Sequence, residues 1–471
     1  MSQLRMYLLR KDKTFLLALK LYRFAYFLHV MTWSAHIKAT LLLALPVCFS
    51  NMGHIVVDLT DNFFIGQLPE KTAGQAAVSL AGAIYTTILV LAIGISYGIT
   101  PIVAELSAKN APEKIVSHLR QAIMTNFLVS VILLGVLFFI TPLLYETDQP
   151  QEVTDLAIRF LGVIMLSMVP LSLFFTFKQF LEGLSDTKAA MFITLSGNAL
   201  NIALNYVMVF GNWGFPQLGV MGSCWATFIA RVYMGLALPV YVYFHPIYKK
   251  YRSGFIPGKW DKTIIREQLK IGVPSGLMFV MEVAAFGIPT LFIPGTEQLA
   301  AHRVALGLAA LSYMISSGIG AAATIRVGHF VGLNDPSNIR KSGYTAVLLS
   351  LMVMSIAALV FIVGNTALPA YFNNDPGVLA YAAPLLLIGA AFQLFDGTQV
   401  VSQGALRGLK DTIVPGIIAF VAYWIIGLPI SYIFCVPMEM GVNGVWYGFV
   451  VGLAVASIGF IIRFRRLALL R

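Results

Sequence analysis

Leu181-Glu182-Gly183-Leu184-Ser185-Asp186-Thr187 returns 225 residues later as Leu406-Arg407-Gly408-Leu409-Lys410-Asp411-Thr412. Asn110, Pro112 and Ile115 recur in the same way as Asn334, Pro336 and Ile339, and Gly219-Val220 and Gly222 recur as Gly441-Val442 and Gly444. Offsets this constant, spread over most of a half, mark the chain as an internal duplication. Between these punctuation points the sequence is apolar: 58% of its 471 residues are hydrophobic, 11% are charged, and the mean hydropathy is +0.81. Soluble chains carry roughly 25% charged residues, so a soluble enzyme, a disordered chain and a disulfide scaffold are excluded.

At about 20 apolar residues per membrane helix, the spacing predicts spans over 37–64, 74–104, 118–142, 154–180, 187–211 and 219–244. A second set follows over 267–294, 299–330, 339–368, 378–405, 412–436 and 441–464. The hydrophilic stretch His245–Arg266 is the one long linker and leaves six spans on each side. The fold class is therefore an all-α integral membrane protein with twelve helices in two pseudo-symmetric six-helix lobes, 37–244 and 267–471. Six spans per half start both halves on the same membrane side. The repeat is then parallel, with its axis along the membrane normal, a pattern found in transporters whose two bundles rock about a site between them.

The net charge of +11 is not spread like that of a nucleic-acid binder. Residues 1–38 hold Arg5, Arg10, Lys11, Lys13, Lys20, Arg23 and Lys38 against Asp12, and the linker region holds Lys249, Lys250, Arg252, Lys259 and Lys262. Lys109 and Lys114, Lys178 and Lys188, Arg340 and Lys341, and Arg407 and Lys410 occupy alternate connections, while the opposite ones carry Glu146, Asp148, Glu152, Asp155, Asp375 and Glu439. By the positive-inside rule both termini and the linker face the cytoplasm of a bacterial-type inner membrane. Residues 1–36 read as a basic, amphipathic helix lying on the cytoplasmic surface. Cys48, Cys224 and Cys435 each sit in an apolar span and read as packing residues.

Polar groups at lipid depth cost about 2.5–3.5 kcal/mol per central charge on insertion scales, so they need a purpose. Asn51, His54, Asp58 and Asp61 form one stripe of the first span, which Pro46 can bend; the fifth carries Asn198, Asn201 and Asn205. Glu282 lies in the seventh among Met278, Met281 and Phe286, and Gln393, Asp396, Gln399 and Gln403 line one face of the tenth. The deepest charges are acids, which suits a cation pathway, although tight helix–helix hydrogen bonding would use the same groups. Arg303, beside His302, reads either as a counter-ion for Glu282 or Asp396 or as a substrate contact. Arg231 reads as an interface anchor and Glu105 as a solvated end group. No H-E-x-x-H, G-x-S-x-G or P-loop motif occurs, so no enzyme is read here. Uphill transport would have to draw on an ion gradient rather than ATP.

With these residues in place the chain resembles the multidrug and toxic compound extrusion (MATE) transporters, most closely their NorM-like branch. Asp61 through Gly66, Thr100-Pro101-Ile102-Val103-Ala104 and Glu182-Gly183 are similar to that family's first-half motifs. Met281-Glu282-Val283, Ala300-Ala301-His302, Ile319-Gly320-Ala321-Ala322, Arg326-Val327-Gly328-His329 and Gln399-Val400-Val401 with Gly404 through Gly408 are similar to those of the second half. The resemblance implies a central cavity that alternates between the two sides and exports organic, often cationic and aromatic compounds in exchange for Na⁺ or H⁺, with no cofactor and as a monomer in its lipids. It implies Asp61 as the first-lobe coupling carboxylate with Asn201 and Asn205 beside it, and Glu282 and Asp396 as a second-lobe cation site that could hold Na⁺. Met278, Met281, Arg303, Phe392, Gln393, Gln399, His54 and Asp58 become substrate-cavity candidates. The sequence departs from the branch at His54 and Asp58, an added pair expected to tune proton coupling, at Phe392, where a tyrosine oxygen is common, and at Arg303. Rival readings are a flippase for lipid-linked precursors from the same broader superfamily and, less well matched, an integral membrane enzyme.

Overall fold

The computed structural model describes residues 32–69, 71–146 and 149–470. Among them twelve helices are long and apolar enough to cross a membrane. They are α1 (Trp33–Ile65), α2 (Thr72–Ala108), α3 (Pro112–Glu146), α4 (Gln151–Gly183), α5 (Lys188–Phe210) and α6 (Val220–Phe244). The second set comprises α7 (Lys262–Leu291), α8 (Thr296–Gly332), α9 (Pro336–Val363), α10 (Pro376–Gly408), α11 (Ile413–Cys435) and α12 (Gly441–Leu470). In hydrocarbon every backbone N–H and C=O has to be paired within the segment, which leaves the helix as the only form these apolar runs can take. Large apolar side chains such as Phe49, Phe138, Leu59 and Ile356 are exposed on the outside of the bundle, a surface at home in lipid rather than in water.

Two boundaries shift from the sequence reading. The amphipathic segment assigned to 1–36 lies mostly outside the described residues, and its last four belong to α1, which Thr32 caps by accepting from the Ala35 N–H. The linker ends at Asp261, whose carboxylate accepts from the N–H groups of Thr263 (2.9 Å) and Ile264 (3.3 Å) and starts α7 five residues early. The linker itself holds a 3-10 helix at Pro246–Phe255.

The duplication extends to single torsion angles. Ser185 and Lys410, equivalent in the repeat, both have left-handed backbone, at φ 65° and 61°. Each closes a helix through the same bond, Asp186 N–H to Leu181 C=O (2.9 Å) and Asp411 N–H to Leu406 C=O (3.0 Å). Asn110 and Asn334 share φ 52°, and Gly219 and Gly441 share φ 56°.

The two halves meet through equivalent helices. α1 packs on α8 and α7 packs on α2, so that the first helix of each half rests on the second helix of the other. The contact is backbone to backbone. A Cβ on Gly94 would stand 2.2 Å from Gly276 Cα, one on Gly272 2.2 Å from the Ile95 carbonyl oxygen, and one on Gly332 2.4 Å from that of Glu105. Polar groups fasten the same end. Arg326 on α8 donates to the His36 carbonyl (2.8 Å) and to Thr40 Oγ1 (2.6 Å) on α1. Lys410 bridges Glu105 of α2 (2.7 Å) and Glu267 of α7 (2.8 Å). Glu105, which also receives Lys109, is thus an interhelical partner rather than a solvated end group. The halves are sealed at the end bearing the linker, and the space between helices lies toward the other end.

Replacing Gly272 with leucine drives a side chain into the Ile95 backbone. Overpacking of this kind costs about 1–3 kcal/mol, to be read as a lowered melting temperature of the purified protein; an unchanged melt would show that the seam is not close-packed. Burial opposes the Lys410 charge, but hydrogen bonds to Glu105 and Glu267 outweigh it and raise its pKa above the ordinary lysine value. A raised lysine contributes fully below its unfolded value of about 10.4 and loses that contribution only as pH climbs through the folded one. Spin-label distances across the linker end should therefore stay constant from about pH 6 to about pH 9 and widen in K410Q.

Candidate functional site

Two adjoining cavities open within the first half. The larger, about 300 Å³, is bounded by α1, α2, α4, α5 and α6 with Phe279, Tyr313, Met314 and Ser317 from the second half. The other, about 270 Å³, lies between α1, α2, α4 and α6. Asp58, Thr86, Thr227 and Arg231 line both and form their common wall. The larger volume sits at the lower end of the range for small-molecule sites, and its mostly apolar wall with a few polar groups is the usual form of such a site.

Asp61 is 7% exposed and fully engaged. Its Oδ1 accepts from Asn205 Nδ2 (2.8 Å) and its Oδ2 from Thr227 Oγ1 (2.6 Å), while Asn201 Nδ2 donates to the same threonine oxygen (2.9 Å). The sequence stripe therefore does assemble with the fifth-helix asparagines, and Asn201 Oδ1 and Asn205 Oδ1 remain buried acceptors without partners. Thr227 gives no signal in the sequence, because a threonine in an apolar helix is ordinary.

The rest of the α1 stripe divides its duties. Asn51 accepts from Lys178 Nζ (3.0 Å) and donates to Ser317 Oγ (3.2 Å), joining the halves. His54 stacks on Phe175 (5.6 Å between centroids), and its Nε2 has no partner. Asp58 is exposed to the cavities, and no hydrogen bond or ion pair joins it to His54. Arg231 is not an interface anchor: it lines the cavity wall, held by Tyr85 and Ser167.

In the second half Glu282 (6% exposed) and Asp396 (2% exposed) lie within electrostatic reach of each other and of Tyr313 and Tyr423. Glu282 Oε1, Gln399 Oε1 and the Tyr423 hydroxyl are buried without partners. Oxygen acceptors left in this state suit a small hard cation or a proton. Tyr423 sits in a π-helical stretch, Val421–Gly427, a geometry often found at functional positions. Its phenol stands on α11, within electrostatic reach of both acids, whereas Phe392 on α10 has no hydroxyl. Gln393 Oε1 accepts from Ser312 (2.7 Å), with its amide nitrogen unpaired.

Several cavity candidates stand elsewhere. Phe392 is 3% exposed, packed between Trp446 (5.3 Å) and Phe286 (5.9 Å). Met278 is buried with its sulfur against Gln403 Nε2 (3.5 Å), and Met281 gives only its carbonyl, to Trp424 Nε1 (3.2 Å). These three belong to second-half packing and line neither cavity. Arg303 is exposed and pairs with neither Glu282 nor Asp396: its neighbour His302 faces inward, bonded to Trp446, and one residue along a helix turns the next side chain about 100° away. Lys178 and Arg407, counted above as loop cations, are instead buried at the floor. With Glu182 they surround a space of about 20 Å³, room for one water, which helices of both halves enclose; Arg407 lies over the Tyr97 ring at 4.5 Å.

The MatE family model matches the chain twice, over residues 46–207 and 274–433, once in each half. A protein of Rhizobium meliloti named "Probable multidrug resistance protein NorM" is 31% identical, covering 93% of this chain and 94% of its own length. "Multidrug resistance protein MdtK" of Yersinia enterocolitica is 31% identical over 91% and 95%. Among solved structures, the eukaryotic MATE transporter AtDTX14 superposes with a TM-score of 0.84 at 19% identity, covering 93% of this chain and 98% of that one.

Removing the Thr227 hydroxyl by T227V leaves the Asp61 carboxylate one donor short at a cost of about 1–3 kcal/mol, seen as a lower melting temperature. The double variant D61N/T227V should melt no lower than T227V alone. A double variant that loses the sum of both effects would show that the two groups are not coupled.

Proposed function

Because the chain belongs to the MatE family of membrane transporters, we propose that it exports organic compounds of several kinds from the cell, drawing on a gradient of H⁺ or Na⁺. The two curated relatives are named for multidrug resistance, and the partly apolar cavity of about 300 Å³ has the size for such guests. The observation that carries the coupling half of this reading is the pair of buried acceptor sets, one per half, around Asp61 and around Glu282 with Asp396. A proton or cation arriving at either set changes the local charge by a whole unit, and only a difference in affinity between two access states can turn that into work.

In this reading the sealed linker end faces the cytoplasm and the cavities face outward, as the positive-inside pattern of a bacterial inner membrane requires. Return to the inward state would part the glycine seam and the Lys410 bridge. Asn201, Asn205 and Thr227 hold the first-half coupling carboxylate. Glu282, Asp396, Gln399 and Tyr423 would take a proton or Na⁺ in the second half. His54 and Asp58 then act separately, the one as an aromatic wall and the other as a charge facing the guest, rather than as a titrating pair. Membership of a transporter family removes the enzyme reading. A lipid-linked pyrophosphate would ask for several converging cations, and the shared wall offers one guanidinium opposite a carboxylate.

D61N and D396N should each reach the membrane at wild-type levels and leave a pump-deficient host as drug-sensitive as a host without the protein. Counterflow of a fluorescent organic cation in proteoliposomes, with Na⁺ and H⁺ gradients imposed one at a time, assigns the ion. Full resistance from both variants would overturn the coupling scheme.

A further inference from the structure

The duplication sets opposite charges at equivalent positions. Leu181-Glu182-Gly183 of α4 and Leu406-Arg407-Gly408 of α10 are one segment of the repeat, and each is packed in the same way. Thr100 Oγ1 on α2 donates to the Gln179 carbonyl (3.2 Å), and its equivalent on α8, Thr324 Oγ1, donates to the Gly404 carbonyl (2.8 Å). A Cβ on Gly183 would stand 2.6 Å from Val103 Cβ, and one on Gly408 would stand 2.8 Å from Val327 Cβ. The α2–α4 contact of the first half is therefore reproduced as α8–α10 in the second. Within that match the middle residue changes from a carboxylate to a guanidinium. Both side chains line the floor space of about 20 Å³ that helices of the two halves enclose.

Neither charge is neutralised at contact distance by its own half. Among the described residues no hydrogen bond or ion pair holds the Glu182 carboxylate, and its Oε1 is buried without a partner. Arg407 donates through Nε (3.3 Å) and Nη2 (3.2 Å) to the one Thr324 oxygen and lies over the Tyr97 ring of the other half at 4.5 Å. Lys178, the remaining cation, is tied to Asn51 (3.0 Å). Glu182 thus sits in the field of Lys178 on its own helix and of Arg407 across the seam. Away from water such attraction is stronger than at a surface, and a buried charge that loses its counter-charge is left at high cost. We infer that Glu182 and Arg407 are positioning residues, a charge contact of the two halves that holds their inner ends together in the state seen here. The contact is broken when the halves part at the linker end. The inference takes its consequence from the transport reading, in which that parting occurs in every cycle; the attraction itself does not depend on transport. Because the two positions are equivalent in the repeat, exchanging their charges preserves both the contact and the net charge of the cluster.

The purified full chain is spin-labelled through E113C and S337C, equivalent exposed positions at the linker end of the two halves; Cys48, Cys224 and Cys435 are buried. E182Q and R407Q should each raise the fraction of molecules with widely separated labels by about threefold or more, the scale of a coupled pair. E182Q/R407Q should part no further than the stronger single variant, since either loss already removes the contact. E182R and R407E should part the ends most, and the exchange E182R/R407E should return the distances toward those of the parent. In proteoliposomes, turnover of a fluorescent organic cation should fall in E182R and in R407E and recover in the exchange, with its half-saturating concentration unchanged. A merely structural role for either residue predicts no such rescue. Where the exchange does not give a monodisperse protein, the glutamine cycle decides. Distances blind to both single glutamine variants, an additive double variant, or an exchange no better than its parts overturns the inference. Label distances that behave as stated in a protein without any counterflow would sink the transport reading and leave the contact standing. Counterflow with distances blind to both charges would do the reverse.

Discussion

The architecture depends on how closely two helix backbones can approach where no side chain intervenes. α2 and α7 touch through Gly94, Gly272 and Gly276 at distances that leave no room for a methyl group. In lipid there is no hydrophobic gain in pressing helices together, so association depends on dispersion contact and interhelical hydrogen bonds, both of which need short distances. The glycines provide the contact, Lys410 adds an ionic bridge across the same pair, and Arg326 and Asn51 bond the other pair, α1 and α8. The backbone contacts and the Lys410 bridge lie at mid-helix and toward the linker end, while both cavities open within the first half, the larger one reaching Phe279, Tyr313, Met314 and Ser317 of the second.

Charge is arranged by the same geometry. Groups at lipid depth are tolerated when they face the interior and find partners. Asp61 meets that condition by hydrogen bonding to Asn205 and Thr227. Glu282 meets it only in part, with a buried oxygen left over. Lys178 meets it by donating to Asn51 and lying over the Phe175 ring at 5.6 Å. Buried polar atoms without partners also occur elsewhere in the bundle, but Glu282, Gln399 and Tyr423 in the second half and Asn201 and Asn205 on α5 bring several of them together.

The helix count and the duplication were legible because they depend on composition and on punctuation, and the turn at Leu181–Thr187 needs the same backbone wherever it recurs. The acids on α1, α7 and α10 were legible because a carboxylate in an apolar run has few uses. The partners were not. Thr227, Tyr313 and Tyr423 are residue types common in any membrane helix, and their approach to a carboxylate depends on which helices pack, which periodicity does not encode. Arg303 and Phe392 were misplaced for a related reason: a helix face is known from sequence only to within a residue, and one residue moves a side chain by about 100°. Lys178 and Arg407 were counted as loop charges because a cation near a span's end usually is one. Here cation–π contact and an amide acceptor keep them inside.

Lys410 occupies a backbone conformation that L-residues avoid, with Cβ crowding of roughly 1–2 kcal/mol. Its twin in the first half, Ser185, accepts the same torsion without reaching across to the other bundle. Two equivalent corners therefore bond differently, Asp186 beside Ser185 accepting from Tyr248 of its own half and Lys410 bridging Glu105 and Glu267 of α2 and α7. The same costly torsion is thus kept twice, and at one corner it holds an ammonium group between two carboxylates of neighbouring helices.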